Sequence, residues 1–332
     1  MIIKRSTLII FCISLLAQSN AQTSWHLLGK VHLSGNGKWD YLKLDKAKNR
    51  IFVTHTDRVH VVDLKINKEI GQISNLKGAN HISLFPEINK GFISNGAGNT
   101  LTVFNYTTLE KIETFKMAGI NPDPMCYDAF TKNLLVFCDN NLAIAIDPVT
   151  NREVFQINLP GAPEFALPDN AGLIYNNLEN KDKVAIIDLK KNQVIKTYSL
   201  KAKSAPTGMA ADLSANRLFV VCRGLNELCI LNSENGEVIK TMSIGKEVDG
   251  IQYDSARHLI VCSGGDGTIT FIERKGDDTY KLIKTMKTKL GAKTLGYDET
   301  NGNIYTCAAT FLNKKGRTKP DSFELLIYAL VN

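Results

Sequence analysis

The sequence predicts an all-β protein: a seven-bladed β-propeller with four-stranded antiparallel blades, whose ring is closed by the N-terminal strand. Three observations lead to this prediction. A pattern of short apolar strands recurs seven times at intervals of about 42 residues. Each copy contains strand-like runs separated by turn-forming residues. The seventh copy lacks its fourth strand, whereas one unassigned strand precedes the first copy.

The copy at residues 206–244 shows the repeat unit most clearly. Its four apolar runs predict strands at residues 207–211, 218–222, 227–231 and 238–243. Each run is rich in Val, Ile, Leu or Cys and is too short for a helix. A single four-stranded meander cannot bury both of its faces. It therefore requires neighbouring copies on either side.

The other copies align on the residue that ends the first strand of each. These residues are Asp45, Pro86, Asp128, Asp169, Asp212, Asp254 and Asp298. The last copy stops at a third strand, residues 325–329, and residues 25–33 can supply its missing fourth strand. A closed ring leaves no terminal repeat that needs a polar cap. A β-solenoid, the alternative array, leaves this strand count unexplained.

Composition narrows the class of protein. The chain has 332 residues, of which 44% are hydrophobic, so it can form a substantial core and is not intrinsically disordered. The formal net charge is +7, and the lysines are spread along the chain. This charge allows a polyanionic partner such as nucleic acid but does not favour one.

Residues 1–21 are predicted to be a secretory signal peptide, which leaves residues 22–332 as a single propeller domain. Lys4 and Arg5 precede a short apolar run, and a small-x-small cleavage site ends at Ala21. The apolar run is too short to remain as a membrane anchor, so we expect no transmembrane segment. The mature protein is expected to be periplasmic or secreted.

Six cysteines follow the predicted cleavage site: Cys126, Cys138, Cys222, Cys229, Cys262 and Cys307. No CxxC or CxxCH motif occurs, which argues against a zinc ribbon, a thioredoxin-like site or covalently attached haem. Cys126 with Cys138, and Cys222 with Cys229, lie on neighbouring predicted strands and could pair in an exported protein. Directly opposed strand positions fit disulfide geometry poorly, so buried free thiols are expected.

Two recurring patterns resemble a known family. The segments VHVVDLKINKEI, AIAIDPVTNREV and VAIIDLKKNQVI share one pattern, and Pro206-Thr207-Gly208 opens a PxG…D…NRLFV run. Over about residues 25–330 the chain resembles the YVTN-repeat propellers, although IFVTH, LFVVC and IYTCA replace the tetrapeptide itself. The resemblance implies an exported bacterial protein that binds ligands or partners. It implies no shared reaction, because this fold hosts many functions.

A ring of polar residues is predicted at one end of the central channel, which the first strand of each blade lines. The residues five positions before the aligned ones are Asp40, His81, Asp123, Glu164, Thr207, Asp249 and Lys293. Six of these seven are ionisable, whereas the next position is mostly apolar or small. This contrast is typical of an alternating strand that faces a solvated opening.

Asp40, His81, Asp123 and Glu164 form an arc of candidate ligand-binding residues on four consecutive predicted blades. Carboxylates and an imidazole are suitable ligands for a divalent cation, which is the one cofactor that the sequence suggests. The same groups could bind a cationic ligand or act as an acid and base. Alternatively, the opening is merely solvated and its residues pair with each other, as Asp249 could with Lys293.

Loops on the same predicted face add candidates. His55, Arg58 and Arg223 lie in or beside turns between second and third strands, and Arg58 and Arg223 join the predicted ligand-binding set. The run GGDG at residues 264–267 predicts a tight turn, because it lacks the strand-to-helix context of a phosphate loop. Residues 310–322 form a basic insertion with four Lys or Arg residues, which could meet a polyanion.

The function predicted from these features is that of an exported binding propeller. Its channel opening would hold an unidentified small molecule, glycan or protein, and the chain is expected to be a monomer. No nucleophile elbow, HExxH, Walker or haem motif is present. The alternative is a propeller-type hydrolase or lactonase with a metal or acid/base site at the opening. A nucleic-acid binder that uses the basic insertion ranks third.

Overall fold

The structure is a computed structural model that describes residues 24–313 and 316–331. The predicted signal peptide, residues 1–21, lies outside the described residues, as do Lys314 and Lys315 of the basic insertion. Seven four-stranded antiparallel sheets follow one another around a ring, which confirms the predicted fold. No helix in the described ranges is long and apolar enough to cross a membrane.

We number the blades from 1 to 7 along the chain and name their strands from the channel outward. The inner strands are Trp39–Asp45, Ala79–Phe85, Pro122–Asp128, Pro163–Pro168, Pro206–Asp212, Val248–Asp254 and Leu295–Asp298. The second strands are Arg50–His55, Lys90–Asn95, Asn133–Cys138, Leu173–Leu178, Arg217–Cys222, Leu259–Gly264 and Asn303–Ala308.

The remaining strands form the outer half of each blade. The third strands are Arg58–Asp63, Thr100–Asn105, Leu142–Asp147, Lys183–Asp188, Glu227–Asn232, Thr268–Arg274 and Glu324–Val331. The outer strands of blades 1 to 6 are Lys68–Ser74, Lys111–Lys116, Arg152–Asn158, Gln193–Ser199, Val238–Ser243 and Tyr280–Lys287. Four short helical turns follow strands, at Pro86–Ile88, Gly96–Gly98, Glu179–Lys181 and Leu213–Ala215.

The N-terminal strand, Ser24–His32, is the outer strand of blade 7, where it pairs antiparallel with Glu324–Val331. The Trp25 indole stacks on the ring of Phe271 in blade 6, with centroids 4.0 Å apart. Its nitrogen donates a hydrogen bond of 2.7 Å to the Gly302 carbonyl. The prediction that the N-terminal strand closes the ring is therefore confirmed. One blade is thus built from both ends of the described chain.

The hydrophobic core is divided among the interfaces between blades. There are seven clusters of buried apolar residues, one between each pair of neighbouring blades. Second strands contact neighbours on both faces, and Arg50–His55 is buried at all six positions. Outer strands are largely exposed, as in Lys111–Lys116. All six described cysteines are free and buried, as expected from their positions within strands.

The aspartates that recur at the ends of inner strands are structural residues. Asp128 accepts hydrogen bonds from the amide and hydroxyl of Thr131, at 2.7 and 2.8 Å. Asp254 accepts bonds from the amide of Arg257 at 2.9 Å and from the hydroxyl of Tyr297 at 2.7 Å. These carboxylates stabilise the turn that follows each inner strand. The most regular residue of the repeat therefore lies outside the candidate site.

A β-bulge near the start of the inner strand recurs in blades 1 to 6. In blade 1, Asp40 and Tyr41 together oppose the single residue Thr54. The Thr54 hydroxyl accepts a hydrogen bond of 3.1 Å from the Asp40 amide and donates one of 3.1 Å to the Tyr41 carbonyl. An extra residue of this kind re-aims side chains beside it. The bulge thus determines which side chains reach the channel.

Candidate functional site

The channel mouth is formed by the starts of the inner strands and comprises Asp40, His81, Asp123, Glu164, Arg223, Asp249 and Lys293. Its backbone is held by buried polar side chains of neighbouring blades. The hydroxyl of Ser94 donates to the Asp123 carbonyl at 2.7 Å, and that of Ser263 donates to the Lys293 carbonyl at 2.7 Å. Thr294 donates to the Asp40 carbonyl at 2.6 Å, across the junction of blades 7 and 1. These bonds fix the mouth residues relative to each other.

Most of the mouth is one continuous ion-pair network. The Lys293 ammonium lies 2.6 Å from an Asp249 oxygen and 3.6 Å from an Asp40 oxygen. The Arg223 guanidinium lies 2.8 Å from the other Asp249 oxygen and 2.9 Å from Glu164. Asp249, with only 6% of its side chain exposed, bridges the two cations. The pairing of Asp249 with Lys293 that the sequence suggested is present.

His81 and Asp123 occupy the remaining side of the mouth and form no ion pair. Asp123 Oδ1, His81 Nδ1 and Arg223 Nε are shielded from solvent, yet none of these atoms has a hydrogen-bond partner. Buried polar atoms are normally satisfied, so each of these atoms is an available contact for a ligand. The predicted arc therefore divides: Asp40 and Glu164 belong to the ion-pair network, whereas His81 and Asp123 are left unpaired.

Three rings lie together in the channel beside the mouth, those of Tyr41, His81 and Phe165, and we call them the aromatic floor. The Tyr41 and His81 rings meet edge to face at 4.7 Å, and the Tyr41 and Phe165 centroids are 6.1 Å apart. Burial, followed by the negative charges of Glu164 and Asp123, raises the pKa of Tyr41 well above its ordinary value. The phenol therefore stays protonated among the carboxyl groups.

Three of the mouth carboxyl groups, those of Asp40, Asp123 and Glu164, have raised pKa values. Burial raises the pKa of Glu164 to about 8 and that of Asp40 to about 6, although Lys293 acts to lower the latter. Burial and the charges of Asp40 and Glu164 raise the pKa of Asp123 well above its usual range. Burial alone would lower the pKa of Lys293, but Asp249 and Asp40 raise it, so the ammonium stays charged. Burial lowers the pKa of His81 to about 3, which leaves this ring neutral.

Metal coordination by the predicted arc finds no supporting geometry. Among the described residues, no three His, Cys, Asp or Glu side chains lie close enough to share a metal ion. Asp40 and Glu164 are instead turned toward Lys293 and Arg223 respectively. The arrangement can accept or donate protons and can bind a group that offers hydrogen-bond donors or positive charge.

The other loop candidates lie apart from this network. The Arg58 guanidinium pairs with Asp57 at 2.8 Å and donates to Gln72 at 3.3 Å, on the outer half of blade 1. GGDG is a turn between strands, in which the Asp266 carboxylate accepts a 2.8 Å bond from the Lys246 amide. Thr207 is fully buried, and its hydroxyl donates to the Val248 carbonyl at 2.9 Å. Whether any of these residues binds a ligand stays a prediction.

Sequence reasoning missed a buried chain of polar residues in blade 1. His55 Nδ1 lies 3.2 Å from His60 Nε2, and His60 Nδ1 lies 2.6 Å from a Glu69 oxygen. Burial, followed by the charge of His60, lowers the pKa of His55 to about 4. The sequence did not reveal this chain, because His60 lies between Val59 and Val61 in a run whose pattern indicates only a buried strand.

Comparisons with known proteins support the fold but identify no family and no function. No family model matches the chain, and no curated protein matches it. The chain is similar to a solved structure of hydrazine synthase from Kuenenia stuttgartiensis, with a TM-score of 0.68 and 14% sequence identity. The similarity covers 78% of this chain and 89% of that chain. At this identity the likeness shows a shared β-propeller architecture and carries no function across.

Proposed function

We propose that this protein is a binding propeller that holds a small organic cation of the ammonium type at its channel mouth. The observation that carries the proposal is an imbalance of charge. Among the described residues, two cationic side chains, Arg223 and Lys293, face four carboxyl groups there, those of Asp40, Asp123, Glu164 and Asp249. Arg223 also lies 3.8 Å from Glu179. Protons make up the difference, because the pKa values of three of these carboxyl groups are raised.

A cationic ligand would replace those protons. Its positive charge would favour the ionised carboxylates and lower their pKa values, so binding would release protons near neutral pH. The unpaired Asp123 Oδ1 is an acceptor for an ammonium hydrogen, since it is buried without a partner. A hydrogen bond to a charged group of this kind contributes about 1.5–3 kcal/mol.

An organic cation fits this mouth better than a metal ion. Dispersed carboxylates suit a ligand with its own shape, because no three ligating side chains of the described chain converge on one point. The aromatic floor adds a second reason, since Tyr41 lies near enough to Glu164 and Asp123 for their charges to raise its pKa, and Phe165 lies beside it. Aromatic faces attract desolvated ammonium groups by about 0.5–2 kcal/mol.

The test is calorimetric titration of the purified protein with 1,4-diaminobutane, tetramethylammonium and the neutral 1,4-butanediol. We expect the cations to bind and the diol not to bind. The affinity should rise between pH 6 and pH 8, and proton release should appear as a dependence of the binding heat on the buffer. Asp123→Asn should weaken cation binding about tenfold or more.

Glu234→Gln is the matched control, because this exposed carboxylate lies on an outer turn of blade 5. It should leave the affinity unchanged. Equal binding of the diol and the diamine, unaltered affinity in Asp123→Asn, or no cation binding at 10 mM would contradict the proposal.

Hydrolysis of an ester or lactone is a second candidate function. Asp40 and Glu164, with pKa values of about 6 and about 8, are carboxyl groups that can exchange protons near neutral pH. An acid/base pair of this kind typically contributes 10²–10⁴-fold to a rate. Glu164→Gln should therefore slow hydrolysis of γ-butyrolactone about 100-fold if the candidate is right. Equal rates in the two proteins would exclude it.

We also propose that the protein is exported and that it belongs to the YVTN-repeat propellers. The support is the pattern of charged, apolar and small residues at the N-terminus, together with the recurring VxV[D/N] segments. N-terminal sequencing of the mature protein from a periplasmic or extracellular fraction should begin at Gln22. Recovery of the uncleaved chain from the cytoplasm would contradict export. Light scattering should give the mass of a single chain, as expected for a monomer.

A further inference from the structure

A cavity of about 450 Å³ occupies the channel below the aromatic floor. It extends from Tyr41, His81 and Phe165 toward the opposite face, where the inner strands end. Its volume lies in the range of about 300–1,000 Å³ that is usual for small-molecule sites. We call this space the lower cavity. It is separate from the unpaired carboxyl group of Asp123, which does not line it.

The lower cavity contains a cation without a counterion. Within the described chain, the Lys43 side chain lines the cavity and forms no ion pair or hydrogen bond. The other lysine of the lining, Lys46, is already paired with Glu299 at the rim. The Lys43 side chain is exposed to the open channel and, among the described residues, has no carboxylate beside it.

Carboxylates at both ends of the lower cavity are already engaged. Asp249, at its upper end, pairs with Arg223 and Lys293. At its lower end the recurring aspartates are held in turns, as Asp254 is by Arg257 and Tyr297. Lys43 is exposed to the channel, so its ammonium is accessible to an anion that enters.

Two neutral hydrogen-bonding side chains of the lining also lack partners. Ser83 and Gln252 face the cavity, and neither side chain forms a hydrogen bond within the described protein. Each can donate to an anionic oxygen. The lining also contains apolar side chains, among them Met125 and Phe165. A site for an organic anion combines a positive charge, hydrogen-bond donors and apolar side chains, and the lower cavity has all three.

We propose that the lower cavity is a second binding site, which takes a small organic monocarboxylate with its carboxylate on Lys43. One unpaired cation matches a single negative charge, and the apolar lining matches an organic body. The Ser83 hydroxyl and the Gln252 amide supply further hydrogen bonds to the same oxygens. Lys43, Ser83 and Gln252 are not part of the mouth, so this site can be tested independently of cation binding there.

The test uses benzoate as the probe, benzamide as its neutral isostere and inorganic phosphate as an anion without an apolar body. Binding to the purified protein is measured by calorimetry or by NMR titration. We expect benzoate to bind about tenfold or more tightly than either comparison compound. Lys43→Met should reduce the benzoate affinity about tenfold or more, and Gln252→Leu should reduce it severalfold.

Lys116→Met is the matched control, since this lysine is exposed on the outer strand of blade 2 and does not line the cavity. It should bind benzoate as the wild type does. Lys43→Met should stay folded, because it removes only an unpaired charge. Equal affinities for benzoate and benzamide, a preference for phosphate, no benzoate binding at 10 mM, or unchanged binding in Lys43→Met would each overturn the proposal.

Discussion

Glu164 makes the stability of the folded protein depend on pH in an unusual direction. Burial raises the pKa of this carboxyl group to about 8, from an ordinary value of 4.5. Between these two pH values the folded chain holds a proton that the unfolded chain has released. Raising the pH across this window therefore destabilises the folded state. The contribution is complete below pH 4.5 and is lost as the pH rises through 8.

The size of this effect follows from the two pKa values. Their difference, at about 1.4 kcal/mol per pH unit, corresponds to about 5 kcal/mol between pH 4.5 and pH 8. Glu164→Gln cannot titrate, and its amide oxygen can still accept the 2.9 Å hydrogen bond from Arg223. We expect the variant to match the wild type near pH 4.5 and to become more stable than the wild type toward pH 8.

Urea unfolding at pH 5.0, 6.5 and 8.0 measures this difference. Glu87→Gln is the control, because the Glu87 side chain is exposed at the turn that follows the inner strand of blade 2. The control should follow the wild-type curve at every pH. The reasoning is refuted if Glu164→Gln loses stability with rising pH as steeply as the wild type does.

Three further variants test other parts of the mouth and ring. Arg223→Met should destabilise the protein by about 3–5 kcal/mol at pH 8, since it leaves the buried Asp249 with one cation fewer. An unchanged midpoint of urea unfolding would contradict the predicted loss of stability. Ser263→Ala should cost about 0.5–1.5 kcal/mol, because the Lys293 carbonyl loses one donor and keeps the Gly250 amide. A thermal melt at neutral pH should show the loss. Trp25→Ala should lower the free energy of unfolding in urea by about 3–5 kcal/mol, because this side chain joins the closing strand to blade 6. A decrease below about 1 kcal/mol would show that ring closure does not depend on Trp25.

The architecture was predictable because it depends on local patterns. Alternating apolar runs and turn residues determine strand positions, and the repeat spacing then determines the number of blades. In blade 5, for example, the strands Arg217–Cys222 and Val238–Ser243 lie where the sequence predicts them. The spare strand at one end and the missing strand at the other were enough to predict ring closure.

The candidate site was predictable only in part. Counting back from the aligned residues identified the ring of polar positions, and Asp249 does pair with Lys293. Arg223 was predicted to be a ligand-binding loop residue, but its connection of Glu164 to Asp249 was not predicted. Its role depends on how far its side chain reaches across blades, which no spacing along the chain reveals. Lys43 went unnoticed for the same reason.

The sequence by itself determined the blades, their order and the polar character of the mouth, because these follow from side-chain patterns along single strands. Only the tertiary structure decided which of those side chains meet. The bulge at Asp40 and Tyr41 turns an aromatic ring into the channel, where simple alternation would place it in the blade. Closure of the ring then brings residues as distant in sequence as Asp40 and Lys293 within 3.6 Å. Pairing and burial between blades set the charges of this site, and both exist only once the ring has closed.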